Sequence, residues 1–99
     1  MIKVEVEKNK ISIIGHANYD KYGRDIVCAA ASGVVISSIE AIARFDKRAV
    51  TIDKIDNKLE IIINKHDNIT NNLIDNMLTC LREIEKKYSK NVKISYKEE

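Results

Sequence analysis

The sequence predicts a two-layer α+β sandwich in which two helices pack on one face of a five-stranded, mostly antiparallel sheet. Three observations lead to this prediction. Short runs of alternating apolar and polar residues indicate strands, two longer segments have the 3.6-residue spacing of amphipathic helices, and short polar turns join strands as hairpins. The resulting order, ββαββαβ, is typical of this architecture. The 99-residue length fits a single domain, residues 1 to 99, with one core.

The N-terminal third predicts a hairpin, a loop and a helix. Ile2, Val4 and Val6 alternate with charged residues, and residues 10 to 15 follow as a second strand after a short polar turn. Residues 17 to 24 show no periodicity, which predicts a loop. Asp25 is a natural N-cap for the helix that follows, because its carboxylate can accept from first-turn amides. We expect this helix to bury Val27, Ala31, Val34, Val35, Ser38, Ile39, Ile42 and Phe45.

The rest of the chain predicts two strands, a helix and a last strand. The strands span residues 49 to 55 and 59 to 63, the helix about residues 70 to 89, and the last strand residues 92 to 96. The second helix should bury Leu73, Met77, Leu81, Ile84 and Tyr88. The outer sheet face should carry Lys3, Glu5, Thr51, Asp53, Glu60, Lys93 and Ser95. Ile14 and Ile62 depart from this pattern, either as scattered surface residues or as apolar patches at a dimer contact.

Charge and composition argue against several classes of partner. Lysine and arginine number 17 against 15 acidic residues, and the two signs are interspersed, so we expect no direct nucleic-acid binding. Five lysines near the C-terminus are better explained by the helix dipole and solubility than by a nucleic-acid footprint; they are Lys86, Lys87, Lys90, Lys93 and Lys97.

Compartment, redox state and cofactors are also constrained. No apolar run looks long enough to span a bilayer, and the chain opens directly on a strand pattern, so we expect no membrane segment, no secretory signal and a cytoplasmic location. Cys28 and Cys80 show no pairing pattern and should be free thiols. Two separated cysteines and two separated histidines do not form a metal-ligand pattern, and no phosphate-binding loop is present, so we expect no metal or other cofactor.

The strongest local anomaly is a cluster of glycines around a histidine and a cysteine. The chain has three glycines, and all of them fall within the segment that contains His16 and Cys28, namely Gly15, Gly23 and Gly33. A glycine-poor protein keeps glycine where the backbone must bend or be approached closely. The cluster therefore marks residues 15 to 33 as the candidate functional segment.

Cys28 and His16 form the candidate catalytic pair. With Asp25 as cap, Cys28 is the third helical residue, where free amides and the positive end of the helix dipole favour a thiolate. His16 is the basic group that can form an ion pair with it and then protonate a leaving amine, and free amides of the first helical turn would form an oxyanion hole. The alternative is that Cys28 is a small core residue and His16 a loop residue.

Nearby residues have candidate supporting roles. Asp25 either caps the helix or also orients His16, and Ser32 lies one helical turn after Cys28, where its hydroxyl bonds near the thiol or to its own helix. Tyr19 and Tyr22 either close over a bound peptide or shield the hairpin edge. Two further residues are expected to be inert, Cys80 as mid-helix packing and His66 as a solvated loop residue.

Residues 15 to 32, GHANYDKYGRDIVCAAAS, resemble the signature of the bacterial ribosomal-processing cysteine protease family, Prp. The spacing of Gly15-His16, Gly23, Asp25, Cys28 and Ser32 matches that family, and the element order agrees from residue 1 to about residue 96. Ala31 and Gly33 depart from it, where we expect a bulkier residue and an alanine, which concerns helix packing and leaves the pair intact.

The resemblance implies that Cys28 is the nucleophile, that His16 is the general base, and that Gly15, Asp25 and Ser32 support the site. It implies a homodimer whose loop, with Tyr19, Tyr22 and Gly23, moves to admit substrate. It further implies cleavage of the N-terminal extension of a large-subunit ribosomal protein precursor of the L twenty-seven type. The alternatives are a non-enzymatic ribosome-associated binding module and a thiol redox sensor, although Cys80 is poorly placed as a resolving cysteine.

Overall fold

The computed structural model describes residues 1 to 97, so the last two residues of the predicted domain lie outside the described part. Five strands and two helices follow one another in the predicted order. They are β1 (Ile2–Val6), β2 (Lys10–Ile14), α1 (Ile26–Phe45), β3 (Val50–Ile55), β4 (Lys58–Ile63), α2 (Asn68–Lys87) and β5 (Val92–Tyr96).

The strands form one sheet in the order β3-β4-β2-β1-β5. Three of its four pairings are antiparallel, and β1 pairs with β5 in parallel. The two helices pack against each other, α1 also contacts β3, and α2 contacts β5. This confirms the predicted two-layer sandwich, and it leaves β3 and β5 as the edges of the sheet.

The core lies between the sheet and the helices, because alternate strand residues face the helical layer. Its buried side chains from the sheet and the loops include Val4, Ile11, Ala17, Ala49, Ile61 and Val92, and those from the helices include Val27, Ala31, Val35, Ile42, Met77 and Leu81. The opposite face carries charged residues as predicted, with Lys3 beside Lys93 and Asp53 beside Glu60 in register. Ion pairs of Glu60 with Lys10 and with Lys58 cross this outer face.

Phe45 does not lie in the core, contrary to the sequence prediction. Its side chain is 67% exposed. It is the last residue of α1, and the backbone turns away at Asp46, which is the C-cap. The helical spacing that places Ile42 in the core therefore ends before it can bury the ring.

The second helix begins two residues earlier than predicted. Asp67 is its N-cap, with a side chain that accepts a hydrogen bond from the Thr70 amide at 2.8 Å. The Asn-rich start has weak helix propensity, so the sequence pattern alone does not reveal it. Burial of Thr70 and Ile74 against the core supplies the missing stabilisation.

By length and composition, α1 is apolar enough to cross a membrane, with a mean hydropathy of 2.0 over its best window, which corrects the expectation that no such run exists. Alanine, glycine and serine keep the segment nearly free of charge. Core helices of soluble proteins satisfy the same criterion; in α1, Val27, Ala31, Val35 and Ile42 pack in the core, and 28% of the apolar window is buried.

Candidate active site

The site is organised around the carboxylate of Asp25, which joins the loop to the helix. Its Oδ1 accepts hydrogen bonds from the amides of Val27 at 3.0 Å and Cys28 at 2.9 Å, so the predicted N-cap of α1 is confirmed. Its Oδ2 accepts from the amides of Tyr19 at 2.9 Å and Asp20 at 3.4 Å. One side chain thus fixes both the first turn of α1 and the first half of the loop.

The electrostatics of Asp25 follow from these four contacts. Partial burial raises the pKa of the carboxyl, but the amides of Cys28, Tyr19, Asp20 and Val27 together outweigh it and hold the pKa below its usual range. Asp25 is therefore an anion throughout the physiological pH range.

Cys28 is the third residue of α1, as predicted, and its side chain is a half-buried free thiol packed against the core. Its Sγ accepts a hydrogen bond from the backbone N–H of Ala17 at 3.2 Å. The thiol thus lies in the first turn of α1 and receives a backbone donor from the loop.

The backbone beside His16 lies against Cys28, because the N–H of the next residue, Ala17, donates to the Cys28 sulfur. Its side chain is exposed. Gly15, just before it, ends β2 with φ of +90°, and a Cβ there would lie 2.7 Å from the Met1 carbonyl oxygen. Only glycine fits this turn, which directs the chain from the end of the central strand β2 toward the start of α1.

Ala17 is anchored at both of its backbone groups. Its methyl is buried in the core at 1% exposure, its N–H donates to the Cys28 sulfur, and its carbonyl accepts from Asn91 Nδ2 at 3.0 Å. Asn91 lies in the turn that precedes β5. Sequence reasoning missed both residues, since an asparagine 74 positions away gives no local signal that it contacts this loop.

The remainder of the loop is held on one side and open on the other. The Tyr19 ring packs edge-on against Tyr88 with centroids 5.2 Å apart, and Lys87 Nζ lies 5.8 Å from the Tyr88 ring centroid. Tyr22 is fully exposed, and Gly23 adopts φ of +88°. The loop therefore has a fixed stem and an exposed tip.

The amides of Val27 and Cys28 do not form a free oxyanion hole, contrary to the sequence prediction. Both donate to Asp25 because the capping carboxylate satisfies them first. Ser32 lies exposed on α1 one turn beyond Cys28. The donor that does reach the sulfur is the Ala17 amide.

The remaining candidate groups lie elsewhere. Cys80 is a half-buried free thiol in α2, and His66 Nε2 lies 2.6 Å from Asn9 Oδ1 in the adjoining loops. Within residues 1 to 97 no group of three or more histidine, cysteine or acidic side chains is arranged to hold a metal ion. Two shallow cavities, of about 420 and 350 Å³, are lined by residues at the far ends of the helices and strands, and neither includes Cys28 or His16.

The sequence profile of one protein family, described as Cysteine protease Prp, matches residues 1–93. A ribosomal processing cysteine protease Prp from Staphylococcus aureus is 35% identical to this chain, in an alignment that covers 98% of this chain and 100% of the relative. A protein of the same description from Mycoplasma pneumoniae is 46% identical over 39 residues, which is 39% of each chain.

Solved structures of Prp proteins are also similar to this chain. The crystal structure of an essential ribosomal processing protease Prp from S. aureus, in complex with a covalently linked product peptide, superposes with a TM-score of 0.91 at 29% identity and covers 98% of this chain and 100% of that one. The S. aureus complex with a substrate peptide gives a TM-score of 0.80 at 28% identity, with the same coverage. A Streptococcus mutans structure, with a TM-score of 0.69 at 21% identity over 97% of this chain and 93% of its own, shares the fold.

Proposed function

Because this chain belongs to the cysteine protease Prp family, we propose that it is an endopeptidase in which Cys28 is the nucleophile and His16 the general base. The observation that carries the proposal is the 3.2 Å hydrogen bond from the Ala17 amide to the Cys28 sulfur. It brings the backbone next to His16 against a thiol at the start of α1, which supports the pairing of this base with this nucleophile. A helix start and a backbone donor together favour the reactive thiolate.

The proposed reaction has two steps. The thiolate adds to the scissile carbonyl carbon, and the carbonyl π electrons move onto oxygen to form a tetrahedral oxyanion. The C–N bond then breaks, the leaving amine takes a proton from the His16 imidazolium, and a Cys28 thioester remains. Water gives a proton to His16 as its oxygen adds to the thioester carbon; the C–S bond then breaks, the carboxylic acid product leaves, and the Cys28 thiolate and His16 imidazolium are restored. These steps use neither a metal nor another cofactor.

The supporting roles follow from the contacts around the pair. Asp25 acts as a positioning residue, since it ties the first turn of α1 to the loop. Gly15 supplies the turn that carries His16 to the site. Ser32 is exposed one turn after Cys28, where its hydroxyl is available to a bound peptide. The exposed tip of the loop, with Tyr22 and Gly23, acts as the lid, and Tyr19 is its hinge-side anchor through Tyr88.

The proposed substrate is a precursor of the large-subunit ribosomal protein of the L twenty-seven type, from which the enzyme removes an N-terminal extension in the cytoplasm during ribosome assembly. Two observations on relatives support this choice. The S. aureus relative is named for ribosomal processing, and its structures contain a substrate peptide and a covalently linked product peptide.

The test is cleavage of a synthetic peptide that spans the junction of that extension, followed by mass spectrometry of the products. The wild-type protein should give two fragments, whereas Cys28→Ala and His16→Ala should each lose activity by at least about a thousandfold. Cys80→Ala is the matched control and should retain full activity, because Cys80 lies in the middle of α2, outside the helix start and loop that hold Cys28. Cleavage by Cys28→Ala would refute the mechanism.

The alternative function, a non-enzymatic module that binds a ribosomal partner, predicts a different reactivity for the Cys28 thiol. As a protease, the protein should be alkylated selectively at Cys28 by iodoacetamide at pH 6, while Cys80 reacts slowly. Equal slow reaction of both cysteines would favour the binding module. The family and its relatives are named as cysteine proteases, which favours the enzyme.

We further propose that the enzyme is a homodimer, which the family resemblance implies. Exposed apolar side chains on α1 and β3 are available for such a contact, among them Ile36, Phe45, Ile52 and Ile55. Sedimentation equilibrium should give twice the chain mass of 11.3 kDa. A single-chain mass at every concentration would contradict the dimer.

A further inference from the structure

We infer that the backbone N–H of Ala17 stabilises the reaction's anionic states and that Asn91 is the residue that positions it. The inference deepens the proposed function and depends on it for the catalytic step. Asn91 donates to the Ala17 carbonyl, and Ala17 in turn donates to the sulfur, so Asn91 acts through Ala17.

The geometry forms a continuous chain of contacts from the sheet to the sulfur. The backbone N–H of Asn91 donates to the Tyr88 carbonyl at 2.9 Å, and the backbone carbonyl of Asn91 accepts from the Ile2 N–H at 2.8 Å. Its side-chain Nδ2 donates to the Ala17 carbonyl at 3.0 Å. The Ala17 amide then donates to Cys28 Sγ at 3.2 Å.

Every link in this chain is fixed to a rigid element. The backbone of Asn91 is bonded both to the end of α2 and to β1, so its side chain projects from a well-anchored turn. The Ala17 methyl is buried, which leaves the residue little freedom to rotate. Asn91 holds the carbonyl of Ala17, and the core holds its methyl group. Together these contacts restrain the direction of the Ala17 N–H.

The Ala17 N–H can also donate a hydrogen bond to the oxyanion of the tetrahedral intermediate, which the capped amides of α1 do not. The amides of Val27 and Cys28 are held by Asp25, so they cannot turn to a developing oxyanion without breaking the cap. When sulfur adds to the carbonyl carbon, negative charge passes from sulfur to the oxygen on that same carbon. That oxygen is bonded to the carbon that sulfur attacks, so it lies within reach of an N–H directed at the sulfur, and when the C–N bond breaks the carbonyl reforms.

The alternative is that Asn91 only stabilises the turn before β5. A structural role would lower the free energy of unfolding and leave the turnover of the folded enzyme unchanged. A positioning role would lower kcat with little change in KM, because the Ala17 donor acts on charge that is concentrated in the transition state.

The first experiment compares Asn91→Ala with Asn64→Ala. Asn64 is the matched control, because its Nδ2 donates to the Arg48 carbonyl at 3.2 Å and to Thr51 Oγ1 at 2.8 Å, at the distant β3 edge. Asn91→Ala should lower kcat by roughly ten- to a hundredfold with KM changed less than about threefold, and should slow alkylation of Cys28 at pH 6. Asn64→Ala should change neither.

Two results would overturn the role of Asn91. One is a kcat for Asn91→Ala equal to that of the wild type. The other is a loss of activity that matches the fraction unfolded in urea titration at the assay temperature. Asn91→Asp provides a second variant of nearly the same shape, and it should be at least as impaired as Asn91→Ala because a carboxylate cannot donate to the Ala17 carbonyl.

The second experiment removes the Ala17 N–H itself. Residues 1 to 27, synthesised with an ester in place of the amide that joins residues 16 and 17, can be ligated to residues 28 to 99 at Cys28. The ester protein should lose about a hundred- to a thousandfold in kcat relative to the all-amide ligation product. Equal activity of the two would refute the inference.

The two hypotheses can fail separately. If the all-amide protein cleaves no peptide, the proposed substrate or activity fails. The alkylation rate of Cys28 still tests the inference in that case: a slower rate in the ester protein supports stabilisation of the thiolate by Ala17, and an equal rate refutes it.

Discussion

At the scale of single residues, Gly15 is the position where the backbone conformation most strongly excludes other amino acids. Alanine there would have to adopt φ near +90° with its Cβ 2.7 Å from a backbone oxygen. We expect Gly15→Ala to destabilise the fold by roughly 1 to 3 kcal/mol and to lower activity, because the strain and the displaced backbone lie next to His16. Urea denaturation followed by circular dichroism measures the first effect and peptide cleavage the second.

Gly33→Ala is the control for this substitution. Gly33 lies within α1, has a helical conformation, and has open space where a Cβ would stand. Alanine at this position should stabilise the protein by roughly 0.5 to 1 kcal/mol, since glycine is a poor helix former. A destabilisation equal to that of Gly15→Ala would show that the strained turn is not the cause.

Asp25 gives a prediction about pH. Its pKa is held below the usual range in the folded protein by four backbone amides, although burial opposes the shift. In the unfolded chain the carboxyl returns to about 3.9. The unfolded state therefore binds the proton first, and the stability that Asp25 contributes is complete above that value and is lost as pH falls through the lower folded pKa.

The measurement is the difference in free energy of unfolding between the wild type and Asp25→Asn. It should be constant near neutral pH and shrink below about pH 4. The difference is needed because Asp46, Glu60 and Asp67 also have lowered pKa values and contribute to the wild-type curve. Asp67→Asn is the control for activity, since it alters the cap of α2 alone and should leave cleavage unchanged.

The residue pattern predicts part of this site and misses part of it. Asp25 and Cys28 are local signals, because capping residues and the third helical position can be counted along the chain. Ala17 and Asn91 are not, because their contact depends on where the turn before β5 meets the loop. The oxyanion-hole prediction was wrong for Val27 and Cys28 since counting unpaired amides does not reveal that the cap accepts from both.

At the scale of elements, β5 is an edge strand that is protected by a side chain. Glu85 of α2 reaches over it, and its Oε2 accepts a hydrogen bond from the Ile94 amide at 2.7 Å. Unpaired edge amides invite pairing with other chains, so this contact removes a donor from the exposed edge. The same contact fixes β5, which follows directly after the turn that contains Asn91.

Glu85→Ala should therefore speed amide hydrogen exchange at Ile94 and lower the free energy of unfolding by about 1 kcal/mol. Two-dimensional NMR resolves that amide from its neighbours. Glu83→Ala is the control, because Glu83 lies exposed on the same helix and should leave exchange at Ile94 unchanged. Equal exchange rates in the two variants would show that Glu85 does not protect the edge.

Element boundaries show where periodicity is informative and where it is not. The five strands and α1 fall close to their predicted bounds, since alternation and a strong cap define them. The start of α2 was misplaced because Asn68 and its neighbours are weak helix formers that are stabilised by packing. Phe45 was misplaced because spacing does not show where the layer that covers a helix ends.

At the scale of the whole molecule, the two faces of the sheet have different chemistry. The inner face is covered by both helices, whereas the outer face carries the ion pairs of Glu60 with Lys10 and Lys58, and of Glu5 with Lys97. The sequence predicts this division because apolar and charged residues alternate along each strand. It does not predict which surface a second copy would cover, since Ile14 and Ile62 interrupt the charged face without showing what they contact.

Adjacent residues of β4 test this division directly. Ile61 is fully buried on the inner face, and Ile62 is half-buried on the outer face. Ile61→Ala should lower the free energy of unfolding by about 2 to 5 kcal/mol, because it leaves a cavity in the core, whereas Ile62→Ala should lower it by about 1 kcal/mol or less. Urea denaturation at two protein concentrations measures both effects. If Ile62→Ala were as damaging as Ile61→Ala, and more so in dilute protein, a second copy would cover the outer face and the ion pairs there would lie within a dimer contact.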